Sequence, residues 1–124
     1  MRTPLAKVRG LGSAKEGTGH FWMQRLTAVA LVPLVVYFIA FIVLNTSAPY
    51  ETAVSHIAKP ITATVLIAMV IAGLIHMKLG VQVIIEDYIH GAAMKTVLLL
   101  GNTLFSYFVG IGTILAVAKI AIGH

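Results

Sequence analysis

The chain contains no cysteine, which excludes disulfides, cysteine-held iron-sulfur clusters and thiolate ligation of haem within it. Charge is scarce as well: four acids and nine Lys or Arg leave 10% of the 124 residues charged, against 59% hydrophobic. With a mean hydropathy of +0.96, this is the composition of a membrane protein and not of a soluble domain. Beside the apolar segments no stretch is long enough to bury a soluble core, and no internal repeat or low-complexity segment stands out.

A net charge of +5 would suit a nucleic-acid partner, but the basic residues gather mostly at the amino end, ahead of the first apolar run. That distribution is a topology signal, and no nucleic-acid partner is expected. Residues 1–21 carry Arg2, Lys7, Arg9 and Lys15 among Gly10, Gly12, Gly17 and Gly19, with Glu16 as the one acid. Lacking helical periodicity, they read as an exposed tail, solvated or lying on a cytoplasmic partner. A basic, acid-poor stretch also suits a transit peptide; with Met1 in place the tail is expected to be retained.

Three apolar runs follow, and they predict an all-α fold of three transmembrane helices at about 22–45, 60–86 and 96–122. The first run, Leu26 to Leu44, exceeds a signal-peptide core and should stay in the membrane. His20, Trp22, Gln24 and Arg25 stand just before it as interfacial residues, and Pro33 inside it removes one donor and is expected to kink the helix. Asn45 to Lys59, with Pro49, Glu51 and His56, reads as a connecting loop with solvated side chains. Pro60 suits the start of the second helix. In the third, Ser106 with Gly110 and Gly112 with Ala116 are small residues four apart that favour close packing. His90 and His124 are expected to face solvent.

The second helix carries the chemistry, in the stretch AGLIHMKLGVQVIIEDYIHG from Ala72 to Gly91. At about 100° per residue, Met69, Gly73, His76, Gly80, Val83 and Asp87 form one stripe. Gly73 and Gly80 clear the helix surface on either side of the imidazole. Such a recess suits close approach of another helix, and equally a flat macrocycle held by the imidazole. An intramembrane histidine is a functional candidate because its nitrogens need a partner in hydrocarbon; the residues alone leave a neighbouring helix and a metal or haem both open. Asp87 and Tyr88 lie roughly 16 to 18 Å further along the axis, at the membrane surface, as an interfacial anchor or a polar site. Lys78 lies about 200° round the helix from His76, with no role assigned.

The string from His76 through Gly80 and Gln82 to Glu86-Asp87-Tyr88 resembles the second transmembrane helix of the small hydrophobic membrane-anchor subunit of succinate dehydrogenase, respiratory complex II. The likeness is to the alphaproteobacterial form. It extends to Gln24-Arg25-Leu26-Thr27-Ala28 in the first helix. The resemblance implies that His76 is an axial ligand of haem b, that Arg25 lies near the haem propionates and that Tyr88 hydrogen-bonds ubiquinone. It further implies a second, cytochrome b anchor subunit as partner, with an iron-sulfur subunit and a flavoprotein that oxidises succinate, in a bacterial inner membrane. For Asp87 the chemistry suggests orienting Tyr88 or relaying protons.

Lysine and arginine set orientation. The tail with Arg25 and the 86–96 connection with Lys95 make one side; Lys59 and Lys119 lie towards the other. The more basic side is expected to be cytoplasmic, placing the amino terminus and the Asp87-Tyr88 end there and the carboxyl end outside. Two alternatives stay open: the anchor of a related quinol:fumarate reductase, and a structural or assembly subunit in which His76 serves helix packing without a cofactor.

Overall fold

The computed structural model describes residues 11–123, with side chains from residue 19 onward. Among the described residues the chain is all helix: α1 (Leu11–Asn45), α2 (Tyr50–Ile57), α3 (Pro60–Tyr88) and α4 (Ala92–Ile122). Three segments are long and apolar enough to cross a membrane: Gly19–Asn45, Pro60–Tyr88 and Ala92–Ile122. At 1.5 Å per residue the 29 residues of α3 reach about 43 Å, more than the roughly 30 Å of hydrocarbon, so its ends stand in the headgroup layer.

Two expectations are corrected. The backbone is helical from Leu11, so residues 11–21 extend the first helix instead of forming an irregular tail. Once the apolar span has nucleated a helix, each added residue gains a backbone hydrogen bond without a new nucleation cost, which outweighs the glycines. Residues 1–10 of the expected tail and His124 lie outside the described residues. Within the expected loop, Tyr50–Ile57 forms a helix that begins after the extended Pro49 and touches α3 and α4. His56 is half-buried in it: its Nδ1–H donates to Asn45 Oδ1 at 2.6 Å, while Asn45 Nδ2 donates to Phe41 O at 2.8 Å. One asparagine thus links the end of α1 to α2. The helix continues through Pro33.

Helix α3 packs on both α1 and α4. Between α1 and α3 the chains run antiparallel in matched steps. Leu31 lies against Gly73, Thr27 against His76 and Gln24 against Gly80. Spacings of four and three on each helix suit a ridge-into-groove fit. Between α3 and α4, Ser106 and Gly110 are buried as the small-residue pattern requires, and Asn102 Nδ2 donates to Lys78 O at 3.0 Å. Gly112 has nothing within 4 Å of where a Cβ would stand, and Ala116 is exposed, so that pair packs on nothing among the described residues.

The buried set is small and partly polar: Thr27, Thr62, Ala63, Ala72, Ser106 and Gly110, with Leu66 and Ile85. Lipid is as apolar as leucine, so helices in it associate through close-fitting small residues and hydrogen bonds, leaving large apolar side chains outside. Val29, Val36, Phe108, Ile111 and Leu115 are exposed accordingly.

Candidate functional site

The α1/α3 seam positions His76. Thr27 stands opposite it, 5% exposed, with Oγ1 3.2 Å from His76 Nδ1. The same Oγ1 lies 2.7 Å from Met23 O and 3.2 Å from Gln24 O, the carbonyls one turn back on its own helix. The two glycine positions beside the imidazole are approached by α1: a Cβ at Gly73 would stand 3.8 Å from Leu31 Cδ2, and one at Gly80 3.7 Å from Gln24 Nε2. On the α1 side, therefore, the recess is filled by helix packing. Along the open flank of this seam, α1 and α3 together leave room for a macrocycle.

That flank carries an open groove of about 560 Å³ lined by His20, Phe21, Gln24, Arg25, Ala28, His76, Leu79 and Val83. The imidazole and the Arg25 guanidinium thus share one groove, although they come from different helices. Arg25 is exposed and its Cζ sits 5.2 Å from the centre of the Phe21 ring. Stacking on a ring face leaves the guanidinium's edge N–H groups free to pair with a carboxylate. Gln24 Oε1 is buried without a hydrogen-bond partner among the described residues, an acceptor left for whatever fills the groove.

These features fit a haem. The groove offers an imidazole for iron, apolar walls in Phe21, Ala28, Leu79 and Val83 for a macrocycle, and Arg25 for a propionate. Among the described residues no three His, Cys, Asp or Glu gather as a metal site, and an iron that brings its own four equatorial nitrogens does not require one. His76 could offer one imidazole nitrogen to such an iron.

Asp87 and Tyr88 end α3 and are both exposed, Tyr88 at 74%. They do not join the groove. Asp87 follows its outermost wall residue, Val83, by one helical turn on the same stripe. Next to them Gln82 Nε2 donates to Glu86 Oε1 at 3.0 Å. Lys78 is half-buried on a separate groove of about 380 Å³ between α3 and α4, with Ser106 and Tyr107. His90 is exposed, as expected.

Sequence reasoning missed Thr27 as a contact of His76 and Gln24 as a wall of the groove. A signal was present: His20, Gln24 and Thr27 repeat at four- and three-residue steps, a polar stripe on one face of a membrane helix.

Over residues 1–118 the chain matches the model of the family described as succinate dehydrogenase/fumarate reductase transmembrane subunit. It is 34% identical over 116 residues to the succinate dehydrogenase hydrophobic membrane anchor subunit of Rickettsia bellii, covering 94% of this chain and 93% of that protein. It is 30% identical over 121 residues to the protein of the same name from Paracoccus denitrificans, covering 98% and 93%. To the succinate dehydrogenase membrane anchor subunit of Reclinomonas americana it is 30% identical over 86 residues, covering 67% and 72%.

Proposed function

The chain belongs to the succinate dehydrogenase/fumarate reductase transmembrane subunits, and from that premise we propose that it anchors a succinate:ubiquinone oxidoreductase in a bacterial inner membrane. In this reading it binds haem b through His76 and shapes part of the quinone site with Tyr88. It does not oxidise succinate. A flavoprotein performs that step and an iron-sulfur subunit carries the electrons to the membrane. A second, cytochrome b anchor subunit would complete the groove. The relatives' names support the role of anchor; the single observation that supports the haem is the meeting of His76 and Arg25 in one groove.

Each residue has a stated task. His76 would present an imidazole nitrogen to the iron, and Arg25 would pair with a propionate through a charge-assisted bond. Phe21, Leu79 and Val83 keep water off the macrocycle. The haem, when bound, supplies a one-electron ferric/ferrous couple. At the surface, the Tyr88 hydroxyl donates a hydrogen bond to a quinone carbonyl, favouring the negative charge that develops there on reduction. Asp87 beside it orients that hydroxyl or passes a proton to the reduced ring. The orientation that fits is the basic side cytoplasmic, which puts Tyr88 on the face where the iron-sulfur subunit docks.

The test is the dithionite-reduced minus oxidised spectrum of the purified complex carrying His76→Ala. Loss or weakening of the b-type bands is expected. Parental haem content and spectrum would overturn the ligand assignment and leave His76 as a packing residue.

A further inference from the structure

We propose that Thr27 is a positioning residue for the haem ligand: its side-chain oxygen holds His76 in the tautomer protonated on Nδ1, so that Nε2 is free to bind iron. The inference rests on the reading of His76 as a ligand. It adds the group that decides which nitrogen is available and how strongly it donates.

A threonine hydroxyl has one hydrogen and two lone pairs. In Thr27 the hydrogen is committed to its own helix, since Oγ1 lies 2.7 Å from Met23 O and 3.2 Å from Gln24 O, both acceptors only. What Oγ1 can offer His76 at 3.2 Å is therefore a lone pair. Nδ1 must be the donor. The other tautomer would either draw the hydroxyl hydrogen away from its shorter bond to Met23 O or set two acceptors against each other at a residue that is 5% exposed, where no water compensates. With the proton on Nδ1, the unprotonated nitrogen is Nε2, on the opposite edge of the ring and available to the groove that His76 lines. Because Thr27 and His76 stand on different helices, the bond also fixes the imidazole plane relative to α1, which carries Arg25 into the same groove.

A hydrogen bond accepted from the remote N–H of a ligating histidine raises the basicity of the other nitrogen. The Thr27 hydroxyl, polarised by donating to a helix carbonyl, is a better acceptor for that purpose. Stronger donation favours ferric over ferrous iron, so the contact lowers the haem midpoint potential.

The test uses the whole complex in four forms: parent, Thr27→Val, Thr27→Ser and His76→Ala. Thr27→Val keeps the branched shape and loses the oxygen; Thr27→Ser keeps the oxygen. Expected for Thr27→Val are a raised haem potential, altered low-spin ferric g values and haem affinity down roughly tenfold or more, with Thr27→Ser near the parent in all three. Parental potential, g values and haem retention in Thr27→Val overturn the proposal. If Thr27→Val does not assemble, Thr27→Cys, whose sulfur accepts only weakly, takes its place, and a potential equal to that of Thr27→Ser overturns the proposal. A haem-replete His76→Ala complex would instead mark failure of the ligand reading. A haem-depleted one beside a parental Thr27→Val confines the failure to Thr27.

Discussion

Leu74 reaches across from α3 into the notch made by Gly110 on α4: its Cδ1 stands 2.9 Å from where a Cβ on that glycine would lie. The contact is with the far end of a flexible side chain, so one methyl can be absorbed by rotation and a branched one cannot. Gly110→Ala is expected to cost on the order of 1 kcal/mol or less, and Gly110→Leu about 1 to 3 kcal/mol through separation of α3 from α4. Thermal unfolding of the purified complex reads the difference.

Asn102 ties the same two helices where its Nδ2 donates to Lys78 O. That carbonyl already accepts an amide one turn on in its own helix, so losing the side-chain bond leaves it with one partner. Asn102→Ala should therefore be mild, about 0.6 kcal/mol and at most about 2. A midpoint unchanged from the parent in a thermal melt would show that the bond adds nothing in the assembled complex.

Arg25 separates charge pairing from anchoring. If its guanidinium holds a propionate, Arg25→Leu shifts the haem potential or lowers occupancy, and Arg25→Lys restores part of the effect, since an ammonium pairs without the planar fork. Redox titration of both variants decides. Parental potentials with reduced amounts of complex in the membrane would assign Arg25 to orientation.

Tyr88→Phe keeps the ring and removes the hydroxyl, so an interfacial anchor would hardly notice it. A quinone-binding tyrosine loses a donor that strengthens as charge develops, a loss on the order of 2 to 4 kcal/mol at the barrier by analogy with an oxyanion donor. Water reaching this exposed site brings the figure towards the lower end. Haem content and succinate oxidation by a soluble dye should survive while quinone reduction falls. Equal retention of dye and quinone activities would remove Tyr88 from the quinone site.

Much of the architecture was legible because the bilayer imposes it. Leu26 to Leu44, the run from Pro60 and the run from Val97 are long apolar stretches, and only a helix satisfies the backbone there. That Ser106 and Gly110 pack closely on a neighbour was legible from their size, but not which helix they meet, nor that Gly112 and Ala116 stay out of the contact. Less legible was everything set between helices. Gly73 and Gly80 announce a recess, but only the position of α1 shows that Leu31 and Gln24 fill one side of it. Thr27 looks like one more small residue until His76 stands opposite. The helix Tyr50–Ile57 escaped notice because eight residues carry too few repeats for a period to show, and its anchor, the His56–Asn45 bond, spans eleven positions.

The pairing of Thr27 with His76 bears on biogenesis. A histidine delivered alone into hydrocarbon carries an unmatched N–H, and α3 brings a lysine as well. If α1 is already integrated when α3 leaves the translocon, the imidazole finds its acceptor at once, and the two spans enter the lipid as a helical hairpin with the N–H already matched. The short connection between them, in which the His56–Asn45 bond ties α2 to the end of α1, keeps the two spans adjacent in sequence. On this view the apoprotein reaches its partners with its own share of the haem surface oriented beforehand.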